Sequence, residues 1–259
     1  MKLPLWQVDA FASKRFSGNP AAVVPLAQWL PDAALRDIAA ENNLAETAFL
    51  VPHGDDYAIR WFTPAVEVPL CGHATLASGW VVLNRLEPQR QAVTFHSQSG
   101  PLTVARDGER LAMDLPANAV APSAGHPQLV AALGASPQAL FEGFQWLAVY
   151  ETEEQVRALK PDFAALGRID LHGVIVTAPG GDCDFVSRFF APAIGINEDP
   201  VTGAAHTRLV PYWAGRLGKT RLFARQVSAR GGELWCELKG GRVVMAGHAA
   251  PYLEGTIEV

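Results

Sequence analysis

Cysteine is scarce in this chain: three among 259 residues, Cys71, Cys183 and Cys236, an odd number with no short-range pairing. That supplies neither a disulfide framework nor a zinc cluster, and it reads as reduced thiols. Charge is scarce too. Charged residues make up 18%, and 21 Lys plus Arg stand against 26 Asp plus Glu, a formal net charge of -5. Without basic runs, this weakly acidic balance argues against nucleic acid or an anionic membrane as a partner. No apolar run is long enough to span a bilayer; the best stretch, 68–84, is interrupted by Pro69 and His73. The start of the chain carries Pro4, Asp9, Lys14 and Arg15 where a secretory signal needs an unbroken apolar core. A cytoplasmic protein is the expectation. Also missing are HxxxH spacing, GxSxG, a P-loop and GxGxxG, so metal-ligand, serine-hydrolase, NTPase and Rossmann readings lack support. Chemistry needing no metal and no cofactor remains.

What is present is a repeat. Hydrophobic residues make up 49% of the chain, ample for a packed core. The segment DYAIRWFTPA at 56–65 matches DFVSRFFAPA at 184–193, sharing Asp56/Asp184, Arg60/Arg188, Phe62/Phe190, Pro64/Pro192 and Ala65/Ala193 at a constant offset of 128. Continued without a gap, that register sets Cys71 opposite Asp199. An offset of half the chain implies duplication. The uncharged stretch PANAVAPSAGHP at 116–127 reads as a linker, giving domains at 1–118 and 119–252, with the terminal strand 253–259 a candidate to complete the first.

Each repeat follows one local plan. An alternating strand, 57–62 or 185–190, meets a Pro turn, a Gly-containing loop and then a helix. The first helix, 74–83, is apolar on nearly every face and must be buried inside a domain. Its counterpart, 204–213, is expected to bend or shorten at Pro211. Further strands are expected at 5–11, 21–25, 48–52, 92–96, 102–105, 111–115, 147–150, 174–178, 234–238 and 242–246. Amphipathic helices fit 33–42, 127–133 and 153–159.

Helix starts carry unpaired N–H groups and partial positive charge, so the loops before both buried helices can hold an anion. Two such loops facing one cleft suit a substrate bearing a carboxylate. Glu46 enters an apolar strand, where lost hydration tunes a carboxylate toward general acid or base work. A surface Glu at a strand end is the plainer alternative. Asp199 could act chemically or merely cap a helix, His73 could donate a proton or bond a loop carbonyl, and Cys71 could accept a proton or fill space.

Several segments in order, Gly18-Asn-Pro20, Asn43-Leu-Ala-Glu46, Arg60-Trp-Phe-Thr-Pro64, Cys71-Gly-His-Ala-Thr75, Asp199-Pro-Val-Thr-Gly203 and Gln226-Val-Ser-Ala-Arg-Gly-Gly232, resemble those of PhzF-like proteins. These are the phenazine-biosynthesis isomerase and its relatives, of the diaminopimelate epimerase fold. The resemblance spans nearly the whole chain. It implies an α+β fold of two pseudo-symmetric domains, each a curved, mostly antiparallel sheet around a central helix, in a homodimer without cofactor. It also implies that Glu46 collects a proton from one substrate carbon and returns it to another, supported by His73 and Asp199. Gly72, Thr75, Gly203 and Ala204 would hold a small carboxylate substrate. The family commonly has Ser where Ala204 stands, so a hydroxyl contact is lost here while the backbone N–H survives.

Two other readings compete with isomerisation. An epimerase or racemase would place acids on both faces of one stereocentre and would rely on Cys71 and Asp199. A catalytically silent relative would only bind a metabolite or a partner protein.

Overall fold

The computed structural model describes residues 1–259, which divide into two compact units: 1–115 together with 244–259, and 116–243. No helix is long and apolar enough to cross a membrane.

In the first unit, strand Lys2–Ala10 pairs antiparallel with Ala249–Glu258 on one side and Asn19–Pro25 on the other. Asn19–Pro25 runs parallel to Glu46–His53, which is antiparallel to Asp56–Phe62; that strand is parallel to Ala92–Ser97, itself antiparallel to Gly100–Asp107. Strand Arg110–Pro116 follows as a further antiparallel neighbour. The sheet wraps helix Gly72–Val81, whose residues 73–79 and Val81 are all buried. A helix without a polar face has nowhere else to go. At Gly79 a Cβ would sit 2.4 Å from Val104 Cγ1, so glycine is what lets helix and strand approach. Outside the sheet, helix Asp32–Asn42 lays Leu35, Ile38 and Ala39 over Leu3, Leu5, Val24, Phe49 and Phe62. Full burial of each large side chain there contributes about 2 kcal/mol.

The second unit repeats the pairing sequence. Trp146–Val149 is parallel to Val174–Pro179, that strand antiparallel to Phe185–Ala191, the next pair parallel with Arg221–Gln226, and the last antiparallel with Gly232–Lys239. Helix Gly203–Leu217 is the buried element, and helices Pro127–Leu133, Glu153–Ala158 and Phe163–Leu166 cover the other face through Leu129, Leu133, Val156 and Leu166.

The shared residues of the repeat perform the same tasks in each unit. Asp56 accepts the N–H of Thr94, and Asp184 accepts that of Phe223, each linking one strand to the start of a parallel partner. Arg60 grips Glu67 with Nε and Nη2 at 2.7 and 2.6 Å; Arg188 grips Glu198 the same way at 2.7 and 2.9 Å. Each guanidinium also lies over the aromatic ring two residues on, Phe62 at 5.1 Å and Phe190 at 4.8 Å.

One expectation fails and half of another. The register does not continue without a gap: the Glu partners stand seven and ten residues after their Arg, because the second unit inserts a short 3-10 turn, Pro192–Ile194. The buried helices therefore begin at Gly72 and Gly203, an offset of 131, and Cys71 corresponds to Thr202 rather than Asp199. Of the bend or shortening expected at Pro211, the shortening does not occur: the helix runs on to Leu217. A proline cannot bond the carbonyl four residues back. Here that carbonyl, on Thr207, accepts the backbone N–H of Asn118 at 2.9 Å, while the Asn118 amide donates to Thr207 Oγ1 at 2.9 Å. The segment expected to be only a linker supplies the missing donor.

Candidate active site

In the first unit four side chains converge. Gly18 turns the chain at φ +65, where a Cβ would lie 2.2 Å from the Ala10 carbonyl oxygen, and delivers Asn19 to the head of its strand. Glu46 opens the neighbouring parallel strand, in register with Ala21. Cys71 and His73 flank the first helical residue, Gly72. All four are buried, Glu46 at 8% exposure and Asn19 at none.

His73 is the hub. Its Nε2 lies 3.1 Å from Glu46 Oε2, an ion-pair distance, but the ring N–H does not point along the contact as a hydrogen bond would. Its Nδ1 faces the Asn19 amide nitrogen at 3.1 Å and Cys71 Sγ at 3.5 Å. Burial opposes a charged imidazole, yet the anionic groups facing it, the Cys71 sulfur once ionised and the Glu46 carboxylate, raise the His73 pKa well above the usual 6.5. Burial, reinforced by the Glu46 charge, pushes the Cys71 thiol up to about 11, so the sulfur is protonated at neutral pH. With the Asn19 amide nitrogen facing it, Nδ1 of the singly protonated ring is an acceptor. Adding a proton there requires the amide to turn its oxygen to the ring, so amide orientation and ring charge are linked.

Behind this group Thr75, fully buried, donates through Oγ1 to the Cys71 carbonyl at 2.6 Å and fixes the first turn. Helix Gly72–Val81 has no side-chain cap. Its leading N–H groups thus remain able to bind an anion. Glu46, Cys71 and His73 offer donor atoms within 4.8 Å of one another, an O, S, N set that would also suit a soft divalent ion.

In the second unit Asp199 ends strand Ile196–Asp199, buried, and accepts the Thr202 hydroxyl on Oδ2. It does not cap the helix; Thr202 holds that position without a capping side-chain bond. Gln226 ties the loop down: its Nε2 donates to the Asp199 carbonyl at 2.7 Å and to Thr202 Oγ1 at 3.2 Å, and its Oε1 accepts the Thr202 N–H at 2.9 Å. Ser228 holds the Pro200 carbonyl at 2.8 Å. Gly203 and Ala204 form the helix start, and the Ala204 carbonyl accepts from Thr207 and Arg208.

Glu46, His73 and Cys71 are therefore assembled in one unit, and Asp199, Gly203 and Ala204 in the other. Sequence reasoning gave no role to Asn19 or Gln226, although both sit in the motifs Gly18-Asn-Pro20 and Gln226-Val-Ser. A polar residue beside an obligatory turn glycine was the available signal for Asn19.

The model of the family described as phenazine biosynthesis-like protein, PhzC-PhzF, matches residues 8–255. An uncharacterized isomerase of Pseudomonas aeruginosa is 52% identical over 259 residues, covering all of both chains. A crystal structure of a PhzF-family phenazine biosynthesis protein from Enterococcus faecalis superposes with a TM-score of 0.97 at 48% identity, again over the full length of both. A hydroxyproline epimerase from Agrobacterium vitis shares the fold, with a TM-score of 0.62 at 12% identity over 99% of this chain and 92% of that one.

Proposed function

This chain belongs to the phenazine biosynthesis-like family, and on that footing we propose that it is a cofactor-independent isomerase that moves a proton on a small carboxylate substrate. The observation that carries the reading is the buried Glu46 carboxylate held 3.1 Å from His73 Nε2. Glu46 removes a proton from a substrate carbon; the electron pair passes into the adjoining unsaturated or carbonyl system; the same carboxyl returns the proton to a second carbon. His73 stabilises the carboxylate before transfer, and helix-start N–H groups, at Gly72 in the first unit and at Gly203 and Ala204 in the second, are each suited to hold an anion. Thr75 positions the first of these turns, and Asp199 orients the second through Thr202. A homodimer in the cytoplasm belongs to the same proposal.

The Cys71 thiol, buried and held near 11, weighs against a racemase in which Cys71 is one of two acids. So does its correspondence with Thr202, since the two positions do not form a matched acid pair.

The test is solvent exchange. The protein is incubated with hydroxy, amino and unsaturated carboxylic acids in deuterium oxide, and carbon-bound deuterium or an isomerised product is followed by NMR. Glu46→Gln should lose about 10²–10⁴-fold in rate with its fold intact. Undiminished turnover in that variant would remove Glu46 from the mechanism.

A further inference from the structure

Arg208 is a buried cation with no acid beside it. It lies in helix Gly203–Leu217, only 8% exposed. A helical side chain leans toward the N-terminus, and this one reaches the first turn. Both of its hydrogen bonds leave from Nη1 and both are long, 3.2 Å to Gln145 Oε1 and 3.3 Å to the Ala204 carbonyl. Nε is buried without a partner. Burial lowers the Arg208 pKa and no carboxylate opposes it, whereas Glu67 and Asp32 raise that of Arg60.

The same chain shows what this edge of a guanidinium takes. Arg60 and Arg188 each present Nε and Nη2 together to one carboxylate, all four bonds between 2.6 and 2.9 Å. On Arg208 it is the Nε/Nη2 edge that the protein leaves unused, and a desolvated cation without a counter-charge is costly unless something supplies one. The surroundings suit an organic acid. Gln145, itself buried, follows Phe144, which is 67% exposed and stacks on His172 at 4.2 Å. Burial and the Arg208 charge lower the His172 pKa, so that ring is neutral at pH 7 and does not compete for the anion.

We propose that the Nε/Nη2 edge of Arg208, whose Nη1 is held by Gln145, binds a carboxylate of a small organic acid. Arg208 also bonds the carbonyl of Ala204, one of the residues assigned to the substrate anion. The inference therefore deepens the proposed function: the substrate carries a second acidic group, and only this identification of the ligand rests on that reading.

Malonate is the probe, titrated into the full-length protein while arginine Nε–H resonances are followed by NMR, with Arg208→Lys identifying the Arg208 signal. That signal should shift saturably, and Arg208→Met, which keeps the apolar stem, should weaken malonate binding about tenfold or more through loss of a bidentate charge-assisted pair. An unmoved Arg208 signal at roughly 50 mM malonate, a generous range for one ion pair, overturns the inference, as does equal binding by Arg208→Met. Glu46→Gln separates the two readings. Malonate binding with undiminished turnover there sinks the proton-transfer role and leaves the Arg208 site standing.

Discussion

The Glu46 carboxylate and the His73 ring meet at 3.1 Å through Oε2 and Nε2, while the far nitrogen of the same ring faces Asn19. One imidazole thus couples a carboxylate at a strand start to an amide at the start of the parallel neighbour.

That coupling has a measurable pH signature. A raised histidine pKa means the native state holds a proton that the unfolded chain releases near pH 6.5. The stabilisation is complete below 6.5 and is lost as the pH climbs through the raised value. Unfolding free energies of the wild type and His73→Gln should therefore differ by a constant amount in mild acid and converge in alkali. Asn19→Ala removes the oxygen that would receive the second ring proton, and it should lower the His73 titration midpoint seen by NMR. An unmoved midpoint would break the link between amide and ring.

Cys71 should prove chemically quiet. A buried thiol held near 11 has about one part in 10⁴ as thiolate at pH 7. Alkylation by iodoacetamide should therefore follow unfolding rather than precede it, as mass mapping would show. Cys71→Ala should keep most of any proton-transfer activity. Loss comparable to that of Glu46→Gln would revive the two-acid reading.

The repeat was legible because its shared residues carry mechanical work: Arg60 and Arg188 each clamp a Glu, and Asp56 and Asp184 each start a parallel pair. Those tasks need particular side chains, so identity persists there. After Ala65 and Ala193 the two units use turns of different length. Backbone geometry preserves the helix start without preserving sequence, so Cys71 was set against the wrong partner. Glu46 and His73 were readable from motifs. The roles of Asn19, Gln226 and Arg208 depend on which groups lie across from them in space, which spacing along the chain does not encode.

Pro211 offers a test of how a helix tolerates proline. In an ordinary helix interior proline is about 3 kcal/mol worse than alanine, partly through an orphaned carbonyl. Here Asn118 already satisfies Thr207, so Pro211→Ala should recover much less than that figure in urea unfolding. Asn118→Ala keeps the backbone bond, removes the side-chain bonds to Thr207 Oγ1 and, at 3.4 Å, to the Pro116 carbonyl, and should cost about 1 kcal/mol. A gain from Pro211→Ala near the full helix penalty would mean the Asn118 contact contributes nothing.

His206 should make the second unit acid-sensitive. It is fully buried, donates Nδ1–H to the Thr202 carbonyl at 2.8 Å, and leaves Nε2 enclosed without a partner. Desolvation lowers its pKa from 6.5 to about 4, the Thr202 bond only partly opposing this. Between these values the unfolded chain binds a proton that the native state refuses, so stability falls with pH across that window and levels off below it. The full displacement corresponds to about 3 kcal/mol. Stability differences between the wild type and the non-titrating His206→Gln should shift by that order between pH 6.5 and 4, since the protein's carboxylates titrate in both and cancel. A pH-independent difference would show that water or a rearranged loop reaches Nε2 before unfolding. The clamp of Gln226 on Thr202 would then be looser than its hydrogen bonds indicate.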